Sequence, residues 1–179
     1  MLLLKSYFNN TSHQQILAFL ANHPGQTYFG KEVKEATKLS SGATNQALRE
    51  LAENGYIQKE RKGRMSFYSV DLSNPLISQF KVLSNIVAIY SLIQELRDRC
   101  IKIVLFGSSA QGTNTEESDI DLVILSNTPR EVSELISNSN LAEKIQLIVK
   151  KPVDWAALKK KDPIFYEEVE QGIVLWEAK

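Results

Sequence analysis

The chain has a single cysteine, Cys100, among its 179 residues. An internal disulfide framework is excluded, and a lone thiol fits a reducing compartment, where a small helix-end or core residue is its ordinary role. Histidine is almost as scarce. His13 and His23 are the only two, and both read as helix-end or surface residues in the first half of the chain. No run of about 18 apolar residues occurs, so no membrane span is expected. Met1-Leu2-Leu3-Leu4-Lys5 lacks the basic start and long apolar region of a signal peptide, so the expected location is cytoplasmic. Internal repeats and low-complexity stretches are missing too. Net charge is zero, with 21 Lys/Arg against 21 Asp/Glu. That zero hides an asymmetry, because residues 1–73 carry nine basic and six acidic side chains. A first half at +3 and a second at −3 hint weakly that the first half meets a polyanion.

What is present is an ordinary globular composition, 43% hydrophobic and 23% charged, long enough for one large domain or two small ones. The most informative stretch is Ile103 to Leu125, IVLFGSSAQGTNTEESDIDLVIL. Ile103-Val104-Leu105-Phe106 reads as a buried strand. Gly107-Ser108 then turns the chain into a short helix, and a Thr-, Asn- and Glu-rich loop follows. Ser118-Asp119-Ile120-Asp121-Leu122-Val123 reads as a second strand. Alternate residues of a strand share a face, so Asp119 and Asp121 converge while Ile120 and Leu122 turn the other way. Two carboxylates aimed at one point repel unless a cation lies between them, and Mg²⁺ is commonly held by one or two carboxylates plus substrate phosphates. Gly107 allows close backbone approach, Ser108 offers a hydroxyl, and a helix start suits a phosphate.

Gly107, Ser108, Gly112, Ser118, Asp119 and Asp121 together resemble the signature of the DNA polymerase beta-like nucleotidyltransferase superfamily, and more narrowly its minimal nucleotidyltransferases. The likeness covers about residues 101–177. It implies Asp119 and Asp121 as catalytic metal ligands, with Gly107, Ser108 and Ser118 around the phosphates of a nucleoside triphosphate held with Mg²⁺. It also implies a third carboxylate on a neighbouring strand. That strand reads as Lys144 to Val149, and the acidic position falls on Gln146. Glu143, Glu116 and Glu117 are the other acids nearby, each readable as a solvated loop residue. The expectation is a site that still binds one metal and a nucleotide, with weak or absent transfer.

The first half reads differently. Helices are expected from Ser12 to about Asn22, from Tyr28 to Thr37, and from Ser40 or Ser41 to about Glu53, with Asn54-Gly55 ending the last. Two strands, Tyr56–Arg61 and Met65–Val70, flank a Lys62-Gly63-Arg64 turn. This order resembles a winged helix-turn-helix domain over residues 10–72. The likeness implies DNA as a partner, with Ser41, Thr44, Asn45 and Arg49 facing the major groove and Lys59, Arg61, Lys62 and Arg64 reaching phosphates from the wing. Residues 73–100 read as a long linker helix opened by Pro75. Its apolar positions Leu76, Phe80, Leu83, Val87, Tyr90, Ile93 and Leu96 recur at threes and fours. Residues 101–179 form the nucleotidyltransferase-like domain.

The expected class is therefore α+β in two domains, the second built on a small mixed sheet with flanking helices. Three functions fit. One is an enzyme that transfers a nucleotide to an unknown hydroxyl acceptor. The second is a DNA-binding regulator whose nucleotidyltransferase domain is catalytically impaired. The third is the antitoxin of a toxin–antitoxin pair, with a helical HEPN-type toxin as partner. A homodimer is expected, because winged-helix regulators read paired half-sites.

Overall fold

The computed structural model describes residues 11–178, and the chain divides into two compact units between Val87 and Ala88. The first unit contains three helices, α1 (Ser12–Asn22), α2 (Gly30–Thr37) and α3 (Ser41–Glu53). A small antiparallel sheet completes it, made of β1 (Tyr28–Phe29), β2 (Gln58–Lys62) and β3 (Met65–Ser69) in the order β1-β3-β2. Thr11, not Ser12, caps α1. Its hydroxyl accepts from the Gln14 amide at 3.2 Å while the Gln14 side chain accepts from the Thr11 amide at 3.3 Å. Tyr28 and Phe29, expected in the second helix, pair instead with Tyr68 and Phe67. Aromatic residues gain more on a pleated edge, where Phe29 and Phe67 lie edge-on at 6.3 Å, than in a first helical turn. Ser40 caps α3 by accepting from the Ala43 amide. Ile16, Leu20, Val33, Ala47, Leu48 and Leu51 close over one another as the core.

The long helix α4 (Pro75–Leu96) starts at Asn74, whose side chain accepts from the Leu76 amide, and ends in a 3₁₀ turn, Arg97–Arg99. Of its recurrent apolar positions Val87, Ile93 and Leu96 are buried, whereas Leu76, Leu83 and Tyr90 are exposed. Among the described residues Pro75–Arg99 is the one helix long and apolar enough, by length and composition alone, to cross a membrane. No apolar run announces it, because Ser, Gln, Asn and Lys81 interrupt the sequence.

The second unit is a four-stranded mixed sheet. Its strands are β4 (Lys102–Leu105), β5 (Ile120–Leu125), β6 (Ile145–Lys150) and β7 (Ile173–Glu177), in the order β6-β5-β4-β7. β4 runs antiparallel to β5 and β7, while β5 and β6 are parallel. Between the strands lie α5 (Gly107–Gln111), α6 (Pro129–Ser137), α7 (Pro152–Lys161) and α8 (Pro163–Glu170). Three of these begin on proline, whose fixed φ and missing N–H suit a first helical position. One face of the sheet presents Val104, Val123 and Leu125, with Phe106 just past the end of β4. Trp155 of α7 and Val169 of α8 bury these residues, with Phe165 packed alongside.

Lys81 is the largest fully buried side chain of α4. Its ammonium donates to the Ala21 carbonyl at 2.8 Å, and burial pulls its pKa down to about 8. The unfolded chain keeps this proton up to the ordinary lysine value, so between the two values it binds more protons than the folded chain. Stability should therefore rise with pH from about 8 towards the ordinary value of 10.5. Lys81→Met should abolish that part of the rise. Urea midpoints at pH 7, 8, 9 and 10 would check it, and parallel profiles for the two proteins would refute it.

Candidate functional site

The site is built where β4 ends and β5 begins. The Phe106 amide donates to the Asp121 carbonyl at 3.1 Å, fixing the exit of β4 beside the first residues of β5. At Gly107 the chain turns with φ +62°, a left-handed conformation that other residues reach only under strain. A Cβ placed there would lie 2.6 Å from an Asp121 carboxylate oxygen. The carboxylate is thus seated against the bare Cα of Gly107. Gly112, φ +71°, ends α5 in the same left-handed conformation, with its amide donating to the Ser108 carbonyl.

The loop between α5 and β5 is held down along its length. The Ser118 hydroxyl accepts from the Thr115 amide at 2.9 Å, and the Lys144 ammonium donates to the Glu116 carbonyl at 3.1 Å. Ser109 is fully buried, and its hydroxyl donates to the Asp119 carbonyl at 3.3 Å. Sequence reasoning named Ser108 and passed over Ser109, which sets the backbone of the first aspartate. The signal available was a small polar residue one place further into the helix.

Asp119 is exposed, one residue ahead of β5, and Asp121 is half-buried within it. Burial, the Asp119 charge and the Glu168 charge, in that order, raise the Asp121 pKa. An ionised Asp121 therefore works against folding, by a cost absent below the ordinary carboxylate pKa, growing between that value and the raised one, and constant above it. The parallel register sets Gln146 of β6 directly beside Asp121, on the same face, as Val123 lies beside Ile148. The expected acidic position is thus neutral in three dimensions. Glu143 and Glu116 lie outside the strands, in a 3₁₀ turn and the loop respectively.

Among the described residues no three His, Cys, Asp or Glu side chains come close enough together to hold a metal ion. The donor set that remains, the Asp119 and Asp121 carboxylates and the Ser108 hydroxyl, has the hard oxygen chemistry that suits Mg²⁺, which keeps several waters and leans on its substrate's phosphates.

In the first unit Ser41, Asn45 and Arg49 recur at four-residue spacing on the exposed side of α3. Thr44 corrects the expectation. It is buried, and its hydroxyl donates to the Ser40 carbonyl at 3.0 Å, so it belongs to the core side of the helix. Asn45 lines a depression of about 310 Å³ with Phe29, Met65 and Tyr68. Lys59, Arg61, Lys62 and Arg64 are all exposed on the β2–β3 hairpin. Lys62 pairs with Glu60 at 3.1 Å, and the Arg61 Nε donates to the Gly63 carbonyl.

Residues 88–179 match the family described as polymerase beta, nucleotidyltransferase. The match spans just over half of the chain, and the chain belongs to that family. No curated protein and no solved structure matches it. The matched region begins at the residue where the second unit begins.

Gly107→Ala should cost about 1–3 kcal/mol, from the left-handed backbone and the collision with the Asp121 carboxylate. Adding Asp121→Ala should recover part of that loss, because the collision disappears while the backbone term stays. Denaturant unfolding of the single and double variants would measure the coupling, and strictly additive losses would refute the close contact.

Proposed function

We propose that the second unit binds a nucleoside triphosphate with Mg²⁺ at Asp119 and Asp121, and that nucleotidyl transfer from it to a hydroxyl acceptor is slow. The observation that carries this reading is the Asp121 carboxylate seated against Gly107, with the neutral Gln146 as its register partner on β6. Asp119 and Asp121 hold the cation, and Ser108 donates its hydroxyl to a phosphate oxygen. When bound, the cation screens the converging charges and polarises the phosphate. The acceptor oxygen attacks the α-phosphorus, the bond from that phosphorus to the bridging oxygen breaks, pyrophosphate leaves, and the hydroxyl proton passes to solvent water. Gln146 can offer an amide to the acceptor but cannot take up its proton, and in this reading that limits the rate.

The first unit, in this proposal, is a winged helix-turn-helix that binds DNA. Three helices followed by a basic antiparallel hairpin support it, as does the exposed row Ser41, Asn45, Arg49. Asn45 and Arg49 would read base edges, with Lys59, Arg61, Lys62 and Arg64 on phosphates. The neutral Gln146 favours a second reading, in which the protein is a cytoplasmic regulator, a homodimer on paired half-sites, and the second unit senses nucleotide without transferring it. The HEPN-toxin pairing is a special case of that reading.

Isothermal titration of Mg²⁺-ATP and Mg²⁺-GTP should show metal-dependent binding. Asp119→Ala/Asp121→Ala should weaken it by at least about tenfold, ~1.4 kcal/mol. Binding that survives in the double variant would sink the assignment. With labelled nucleotide, Gln146→Asp should raise transfer above the parent rate. If both proteins are inert although both bind nucleotide, the sensor reading stands in place of the enzyme. For the first unit, fluorescence anisotropy on a selected duplex should show Arg49→Ala losing about 1–3 kcal/mol in a sequence-dependent way. Lys59→Ala/Arg61→Ala should weaken all duplexes alike and flatten the salt dependence. No salt-dependent binding to any duplex would refute the DNA role.

A further inference from the structure

Between Ile103 and Leu125 the sequence has Glu116, Glu117, Asp119 and Asp121 but no Lys or Arg. The acidic turn thus offers a phosphate chain hydroxyls and amides, and no cation of its own. Lys144 brings one from elsewhere. It ends the 3₁₀ turn Ala142–Lys144 and directly precedes β6. The parallel register sets Ile145 beside Ile120 and Gln146 beside Asp121. Lys144 and Asp119 are therefore the residues immediately before paired positions, at one end of the sheet. The Lys144 ammonium reaches the loop and donates to the Glu116 carbonyl at 3.1 Å. That part of the loop is a closed turn. The Ser118 amide donates to the Thr115 carbonyl at 3.2 Å, and the Ser118 hydroxyl accepts from the Thr115 amide at 2.9 Å. Asp119 is the next residue. Register and a hydrogen bond to the loop thus hold a cation at the end of the sheet where the two aspartates lie.

We propose that Lys144 is a phosphate-binding residue of this site, and that its charge selects nucleotides by the length of the phosphate chain, a triphosphate over a monophosphate. The inference rests on the nucleotide reading of Asp119 and Asp121 given above. Lys144 is exposed, and an ammonium has three donors, of which the Glu116 carbonyl takes one. That carbonyl is neutral, so the contact fixes the ammonium without cancelling its charge. The remaining donors face solvent and suit phosphate oxygens, with which they form charge-assisted hydrogen bonds. The two aspartates offset the charge of the divalent ion, so the negative charge of the phosphates needs a partner of its own. A triphosphate carries more of that charge than a monophosphate, and a fixed cation therefore favours it. Sequence spacing alone could not reveal this residue, because the tie between Lys144 and the Glu116 carbonyl crosses 28 positions.

The test is competition titration of ATP and AMP, each with Mg²⁺, on the full chain and its variants. The parent should prefer ATP. Lys144→Gln keeps a donor for the Glu116 carbonyl and loses the charge. It should cut the preference for ATP over AMP by about tenfold, the order of one hydrogen bond to a charged group. Lys144→Arg should retain the preference. Lys151→Gln removes the same charge past the other end of β6, about 23 Å away along the strand, and should bind like the parent. If Lys144 only fastens the loop, Lys144→Gln weakens both nucleotides alike, and that result would overturn the inference. An equal cut from Lys151→Gln, or from Lys144→Arg, would overturn it too. In each of these cases loss of ATP binding in Asp119→Ala/Asp121→Ala would leave the two-aspartate site standing. No Mg²⁺-dependent binding of ATP by the parent would overturn both.

Discussion

The contact on which the acidic site depends is that between the Asp121 carboxylate and the bare Cα of Gly107. It ties the end of β4 to the start of β5 at a point where any side chain would push them apart. The backbone hydrogen bond from Phe106 to Asp121 holds the same junction from the other side. Once these are set, the direction of α5, the position of Ser108 and the convergence of Asp119 on Asp121 follow. The arrangement also has a cost. It confines one carboxylate beside another in partial burial, and the raised pKa of Asp121 is the record of that cost. Proteins keep such arrangements where a bound group offsets the repulsion.

The rest of the second unit serves to hold this junction still. Ser109 and Lys144 fasten the loop that delivers Asp119, while α7 and α8 seal the apolar half of the same sheet face. β4 leads into the left-handed turn at Gly107, and β5 carries Asp121. β6 brings Gln146, in register and on the correct face. Membership of the family does not settle activity, because activity belongs to the site.

The first unit shows a different division of labour. Its core is made mostly by small and aliphatic residues of three helices, and its charges lie on the outer sides of α2 and α3 and on the β2–β3 hairpin. The exception is Lys81, a charge on α4 that is drawn inside and satisfied by the end of α1. A buried ammonium of this kind costs stability, and it sets the helix at one position by demanding a carbonyl there.

Most of the helices and the hairpin of β2 and β3 were legible in the sequence, because each rests on neighbours within a few residues. Periodicity of two or three to four, caps and glycine turns are local. Thr44 shows where local reading fails. A hydroxyl counts as polar in a pattern, but bonded to the Ser40 carbonyl it can be buried like an apolar group. Tyr28 and Phe29 show it again, since their strand exists only through pairing with residues 67 and 68. What the tertiary structure alone decided was which distant groups share the site. Gln146 is neighbour to Asp121 by sheet register. The Lys81 ammonium reaches a carbonyl 60 residues earlier in the chain. Such meetings depend on how the elements pack, and packing is set by the whole core and not by spacing along the chain.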